Sequence, residues 1–261
     1  MLTITDHLGR TVTFSHPPQR IISLVPAITE TMYHLDLENT IVGRTRFCKF
    51  PQEKVQKAKN IGGTKEIKLD RINQLKPDLI IVEKEENTKE IVETLEKYYP
   101  VFVFEVQKEQ DVYRMIHDLG RLTDRKNESN QLVREIQHRF DSLPKVNGKS
   151  AAYVIWKNPY MVVGKDTYIQ SILTKLGYIN PFLSLSGRYP VISEEDFQHA
   201  NLDYIFLATE PYPFREKHKK EFQAIVPQAK TIIMDGEMFW YGAKMLQAAD
   251  YFKKTIESLN S

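Results

Sequence analysis

The chain is 261 residues long, and with 27% charged and 41% hydrophobic residues it has the make-up of a folded protein rather than a disordered or fibrous one. At roughly 100–200 residues per domain, that length favours two domains. Net charge is only +2, and no run of Lys and Arg interleaved with aromatics is long enough to neutralise many phosphates, which argues against nucleic acid as a partner. The single cysteine, Cys48, excludes an intrachain disulfide and a multi-cysteine zinc site. The best apolar runs, residues 79–82 and 153–156, are strand-sized. The start of the chain has no basic segment followed by an apolar stretch, so no secretory signal is visible and the sequence alone suggests the cytoplasm.

Residues 2–14, with Gly9-Arg10 at their centre, alternate and turn as a β-hairpin that His16-Pro17-Pro18 ends. Residues 21–25 form a short apolar strand stopped by Pro26. Thr29, Glu30, Met32, Tyr33 and Leu35 then take helical spacing toward Leu37. Residues 41–42 are the next strand. Residues 69–75 predict a short helix, Lys76-Pro77-Asp78 its closing turn, and residues 79–82 a buried strand. A helix over 90–98 and a strand over 101–104 follow. Such β-α alternation predicts an α/β fold with a mostly parallel sheet covered by helices.

The alternation then breaks. Residues 110–122 read as a helix, Thr123-Asp124 as a cap, and residues 126–143 as a second helix stopped by Pro144. Those eighteen residues, at about 1.5 Å each, give roughly 27 Å, enough for a long rigid connector between two lobes. After Gly148 the pattern resumes, with residues 151–156, 168–176, 204–207 and 231–234 and a closing helix over 243–259. The predicted organisation is an N-terminal α/β lobe over 1–124, a connecting backbone helix over 125–145 and a C-terminal α/β lobe over 146–261. A local repeat supports paired halves: residues 70–82 lie over residues 195–207, with acid, apolar, apolar, Asp, apolar, apolar recurring in step.

No motif announces catalysis. Gly-x-Ser-x-Gly does not occur, and Gly62-Gly63 is not part of a dinucleotide-binding fingerprint. Residues 163–167 lack the earlier glycine and the Ser or Thr of a phosphate loop. The seven histidines are scattered singly, without the spacing of a helical zinc site. No catalytic residue, metal ligand or intrinsic cofactor is assigned. A cytoplasmic α/β enzyme or sensor acting on a small cofactor-like ligand is the alternative reading.

Arg20-Ile-Ile-Ser23-Leu-Val-Pro26-Ala-Ile-Thr29-Glu30, followed by Val42-Gly43, Thr45, Phe47 and Phe50-Pro51, resembles the opening of the cobalamin-binding, helical-backbone metal-receptor family. Ile61-Gly62-Gly63, the stretch 69–80, Asn158-Pro159 before Gly164-Lys165, and Tyr189-Pro190 before Ile192-Ser193 and Glu195 extend the resemblance over nearly the whole chain. It implies a monomeric solute-binding protein that catches a metal chelate in a cleft between two lobes and delivers it to the membrane subunits of an ABC importer. A corrinoid such as cobalamin is the first ligand expected, then haem or a ferric siderophore. The resemblance also implies the periplasm or cell surface.

Parallel sheets bind ligands beyond the carboxyl ends of their strands, which selects the loops expected to carry the site. In the first lobe these contain Pro26, Ala27, Arg46, Phe47 and Thr64, and in the second Lys157, Tyr160, Arg188, Tyr189, Glu210, Tyr212, Phe239, Trp240 and Tyr241. The cations suit ligand carboxylates or phosphates, and the aromatics a flat macrocycle. Phe47 and Phe239 fit core packing equally well. The resembling cobalamin receptors carry tryptophans near Thr64 and Glu83, which this chain lacks. Asp70 and Glu195, matched in the repeat at the start of a helix, have two readings: ordinary first-turn acids facing the helix's positive end, or transporter-docking residues as the resemblance implies.

Overall fold

The computed structural model describes residues 1–260, which form two compact units. The first comprises residues 1–106, 110–138 and 241–244; the second comprises residues 107–109, 139–240 and the chain from 245 onward.

In the first unit, β1 (Leu2–Thr5) and β2 (Thr11–Phe14) pair as the expected antiparallel hairpin. Then come β3 (Ile21–Ser23), α1 (Pro26–His34), β4 (Ile41–Arg44), α2 (Gln52–Val55), β5 (Lys59–Asn60), α3 (Leu69–Leu75), β6 (Leu79–Glu83), α4 (Lys89–Leu95), β7 (Val101–Phe104), α5 (Glu109–Thr123) and α6 (Lys126–Asp141). Five strands form a wholly parallel sheet in the order β5-β4-β3-β6-β7. Every residue of β6 and β7 is buried, the pattern of parallel strands covered on both faces. Ile22, Ile80, Val82, Val101 and Val103 pack with Ile72 of α3 and Ile91 and Leu95 of α4.

The second unit contains β8 (Ala151–Trp156), β9 (Tyr160–Val162), α7 (Tyr168–Lys175), β10 (Val191–Ile192), α8 (Glu194–His199), β11 (Tyr204–Ala208), α9 (Glu216–Ile225), β12 (Lys230–Met234) and α10 (Met245–Asn260). Its sheet order is β10-β9-β8-β11-β12, with β8, β11 and β12 parallel and β9 antiparallel to its neighbours. Ala152, Val154, Ile205 and Leu207 pack with Phe197 of α8 and Phe222 of α9.

The repeat seen in the sequence has a structural counterpart. Lys76 and Asn201, at matched positions after α3 and α8, both take the left-handed conformation, with φ of 45° and 46°. Two residues on, the Asp78 carboxylate accepts the backbone N–H groups of Gln19 and Arg20, at 2.7 and 2.9 Å. Asp203 accepts the N–H of Ser150 and the ammonium of Lys149, both at 2.8 Å. In each unit the repeated aspartate therefore ties the start of its own strand to the start of the neighbouring one, β6 to β3 and β11 to β8.

Three boundaries differ from expectation. Helix α6 is a single helix but ends at Asp141, and Leu143 lies in the following turn, donating its N–H to the carbonyl of Phe140. Thr123 closes α5 rather than capping α6, because its hydroxyl bonds back to the Leu119 carbonyl, while Asp124 makes the bend at φ 59°. Finally, residues 241–244, expected with the C-terminal lobe, pack into the first unit.

Candidate functional site

Strand order in the first unit reverses between β3 and β6, which marks the place where an open parallel sheet forms its crevice. Asn87 fills that place and is buried. Its Nδ2 donates to the carbonyl oxygens of Leu24 and Thr64, at 3.3 and 2.9 Å, and its Oδ1 accepts the N–H of Glu83 at 2.9 Å. One amide thus ties the ends of β3 and β6 to the loop after β5. The adjoining Glu83 is 2% exposed; its carboxylate accepts N–H groups from Glu85, Glu86 and Val106. Burial pushes that carboxyl up to about 7, overriding the downward pull of the three N–H groups.

Around this knot lie the predicted residues of the first unit. Pro26 is half-buried and Ala27 buried in the first turn of α1, and Thr64 is buried. Arg46 and Phe47 are exposed, with the guanidinium 4.8 Å from the ring centroid. Both lie against Gly63, where a β-carbon would come within 3.2 Å of the guanidinium and 3.3 Å of the ring. A side chain at position 63 would crowd both groups. Cys48 is buried among Thr29 and Thr45, and burial pushes its thiol up, so it is an inert core residue.

The far end of this region is closed by residues 241–244, which pack on α1. The N–H of Ala243 donates to Thr31 Oγ1 at 3.0 Å, and Gly242 has φ 78° and lies so near Thr31 that a β-carbon would overlap its hydroxyl. Lys244, 2% exposed, places its ammonium 3.0 Å from Glu30 and 3.8 Å from the centre of the Phe50 ring.

The reversal in the second unit lies between β8 and β11. Here aromatic rings meet. Tyr212 donates its N–H to the Ile155 carbonyl at 3.3 Å and sets its ring edge-on to Trp156 at 5.7 Å, and Trp156 is 39% exposed. His218 packs beneath Tyr212, and its Nδ1 accepts the Arg215 N–H at the start of α9; burial lowers its pKa. One turn further, the Glu221 carboxylate receives both the Lys157 ammonium and the Tyr160 hydroxyl, the latter at 2.7 Å. Burial acts to raise the Glu221 carboxyl, but Lys157 and Tyr160 outweigh it and hold it below its ordinary value.

The residue match to a known family covers most of both units. The profile described as "Periplasmic binding protein" matches residues 21–230. The chain belongs to the periplasmic binding protein family. Among curated members, an "Uncharacterized ABC transporter substrate-binding lipoprotein YvrC" from Bacillus subtilis is 27% identical over 198 residues, 71% of this chain and 62% of its own length. The match therefore spans less than two thirds of that relative. A "Vitamin B12-binding protein" from Vibrio parahaemolyticus is 25% identical over 188 residues, covering 69% of this chain and 67% of its own. Among solved structures, the petrobactin-binding protein YclQ from Bacillus subtilis superposes with a TM-score of 0.83 at 17% identity, covering 98% of each chain, a likeness of fold. Among the described residues no helix is long and apolar enough to cross a membrane.

For a member of this family, the second unit sorts its predicted aromatics by packing. Phe239 is a core residue, 5% exposed between Tyr153 and Phe252 at ring distances of 4.6 and 5.0 Å. Tyr160 packs on Phe197 and Phe222, and only its hydroxyl reaches Glu221. Trp240 is half-buried and donates its indole N–H to Glu210, whose side chain lies over Gly236. Tyr241 is half-buried and packs with the first unit. The stretch 239–241, read in the sequence as one loop, is divided three ways. Arg188 and Tyr189 are half-buried, and the Arg188 carbonyl accepts the Gly164 N–H at 2.8 Å.

Sequence reasoning missed Asn87, Trp156 and Glu221. Trp156 carried a signal, since a large aromatic closing an apolar strand and followed by Lys157 sits at a carboxyl strand end. Glu221 carried none, because it looks like any other charge on a solvated helix.

Proposed function

We propose that this periplasmic binding protein captures a metal chelate on the strand-end loops of its two units and hands it to the membrane subunits of an ABC importer. The observation that carries the reading is the aromatic cluster at the second unit's strand-order reversal, where Trp156 and Tyr212 stand edge-on and partly exposed. Rings presented at that point suit a flat, largely apolar ligand. A corrinoid is the first choice, supported by the vitamin B12-binding relative, with haem and ferric siderophores next, supported by the fold shared with the petrobactin-binding protein. The place of action is outside the cytoplasmic membrane, and the ligand leaves unchanged, as in a carrier rather than an enzyme. Titration with cyanocobalamin, cobinamide, haemin and ferric siderophores, followed by absorbance and tryptophan fluorescence, tests this. One chelate bound per chain without turnover is expected; binding of none removes the proposal.

Delivery rests on Asp70 and Glu195. Both are exposed in the first turns of α3 and α8, the two helices of the structural repeat. In α8 the cap itself is made by Ser193 and Asp196, which leaves Glu195 outside the capping box. We assign the pair to docking on importer cations. Reversing both, Asp70→Lys with Glu195→Lys, should abolish transporter binding while chelate affinity and melting temperature hold. Undiminished transporter binding by that variant returns both residues to ordinary helix-terminal acids.

A further inference from the structure

Lys157 stands at the carboxyl end of β8, beside the Trp156 and Tyr212 rings, where its charge suggests a contact for an anionic ligand. Its ammonium is already engaged by Glu221, which projects from the second turn of α9 and also accepts the Tyr160 hydroxyl at 2.7 Å. The side chains of the pair are 19% and 32% exposed, so solvent and a bound ligand both reach it. A ligand carboxylate brought to Lys157 therefore also meets the negative charge of Glu221, and the attraction and repulsion largely cancel. Ligand groups that hydrogen-bond without charge, amides and hydroxyls, suffer no such repulsion.

We infer that Glu221 is a specificity-determining residue: by neutralising Lys157 it makes this face discriminate against carboxylate-rich chelates in favour of chelates with an amide or hydroxyl periphery. The inference rests on the chelate-carrier reading. Glu221 acts through the charge it cancels on Lys157. The carboxylate is fixed at the pair by the hydroxyl of Tyr160, whose ring is packed on Phe197 and Phe222, so its negative charge stays beside Lys157 at the strand end. Among the predicted strand-end cations, Arg46 lies over the Phe47 ring in the first unit, with its guanidinium 4.8 Å from the ring centroid, whereas Lys157 is paired with a carboxylate.

The test uses the full chain and two probes of opposite periphery, haemin with its two carboxylates and cyanocobalamin with its amides. Glu221→Gln keeps an acceptor for the Tyr160 hydroxyl and leaves Lys157 uncompensated. It should raise affinity for haemin about tenfold relative to cyanocobalamin, a change of about 1.4 kcal/mol, and the gain should fade as salt rises from low to 0.5 M. Glu221→Gln combined with Lys157→Gln should return the ratio to its original value. An unchanged ratio, an equal shift for both probes, or a gain that survives the loss of Lys157 overturns the inference. If neither probe binds the unaltered chain, the failure belongs to the proposed function instead, and the two outcomes remain distinct. Melting temperatures of all variants identify any that lose binding by unfolding; for such a variant Glu221→Ala, read by the same ratio, takes its place.

Discussion

The two units reverse their strand order at matching places, β3 beside β6 and β8 beside β11, yet they finish those places differently. In the first, a buried amide and a buried carboxyl close the gap with backbone hydrogen bonds, and Asn87 and Glu83 reach no solvent worth the name. In the second, Trp156 and Tyr212 meet there as rings, flanked by the partly exposed ions Lys157 and Glu221. One topology serves once as a seal and once as a surface. What decides is the chemistry of a few residues beyond the strand ends, because topology fixes where a crevice can form and side chains decide whether it stays open.

If the first reversal is a seal, breaking it should be costly. Asn87→Ala removes one amide but strands the carbonyls of Leu24 and Thr64 and the N–H of Glu83, so a loss of about 3 kcal/mol is expected, measured as a fall in the urea midpoint. An Asn87→Ala chain as stable as the parent would mean that water enters and the gap is open after all.

Glu83 sharpens the same contrast through pH. Its carboxyl titrates near 4.5 in an unfolded chain and at about 7 in the folded one, so the folded state holds the proton more tightly. The stabilisation is complete below about pH 4.5 and is lost as pH rises through about 7, a decline of up to about 3 kcal/mol from this group. Urea melts between pH 4.5 and 8 should show that fall superimposed on the rest of the titration, and Glu83→Gln should flatten it. A slope unaltered by the substitution would show that Glu83 is already solvated.

In the second unit the expected losses move from stability to binding. Trp240→Ala, which gives up an indole bonded to Glu210, should weaken chelate affinity by about 1–3 kcal/mol and lower the melting temperature only slightly. The reverse result would place Trp240 with Phe239 in the core. Smallest of all, Lys157→Met should change the unfolding free energy obtained from urea melts by less than about 1 kcal/mol, because the ion pair it breaks is partly exposed. A larger loss would make the second reversal as structural as the first.

Much of the architecture was legible in the sequence. The α/β alternation, the hairpin, the unbroken helix α6 and the helix–turn–strand repeat all follow from hydrophobic period and turn chemistry, which are local. The repeat predicted a matched helix, turn and strand, which is seen with a left-handed turn residue at both Lys76 and Asn201, but not the task of Asp78 and Asp203, whose partners lie more than fifty residues away. The candidate site was legible as a set of loops and illegible as a set of contacts. Phe239, Trp240 and Tyr241 are consecutive and all aromatic, yet one enters a core, one bonds to Glu210 and one joins the other unit, and no periodicity distinguishes them. Glu221 was hidden for the same reason, since its partners Lys157 and Tyr160 come from a hairpin some sixty residues earlier.

The strap at residues 241–244 bears on the order in which the chain is made. Domains generally fold as units and the N-terminal one first, while the remainder is still being synthesised. Here helix α1 takes a cation beside Glu30 and a donor to Thr31, and the nearby Phe50 ring takes a cation over its face, all from residues that are added only after position 240. A nascent first unit lacks the Lys244 ammonium that stands 3.0 Å from the Glu30 carboxylate in the folded chain, and the Ala243 N–H that Thr31 accepts. Completion of the first unit is thereby deferred until residues 241–244 have been added, after most of the second unit's sequence has been made.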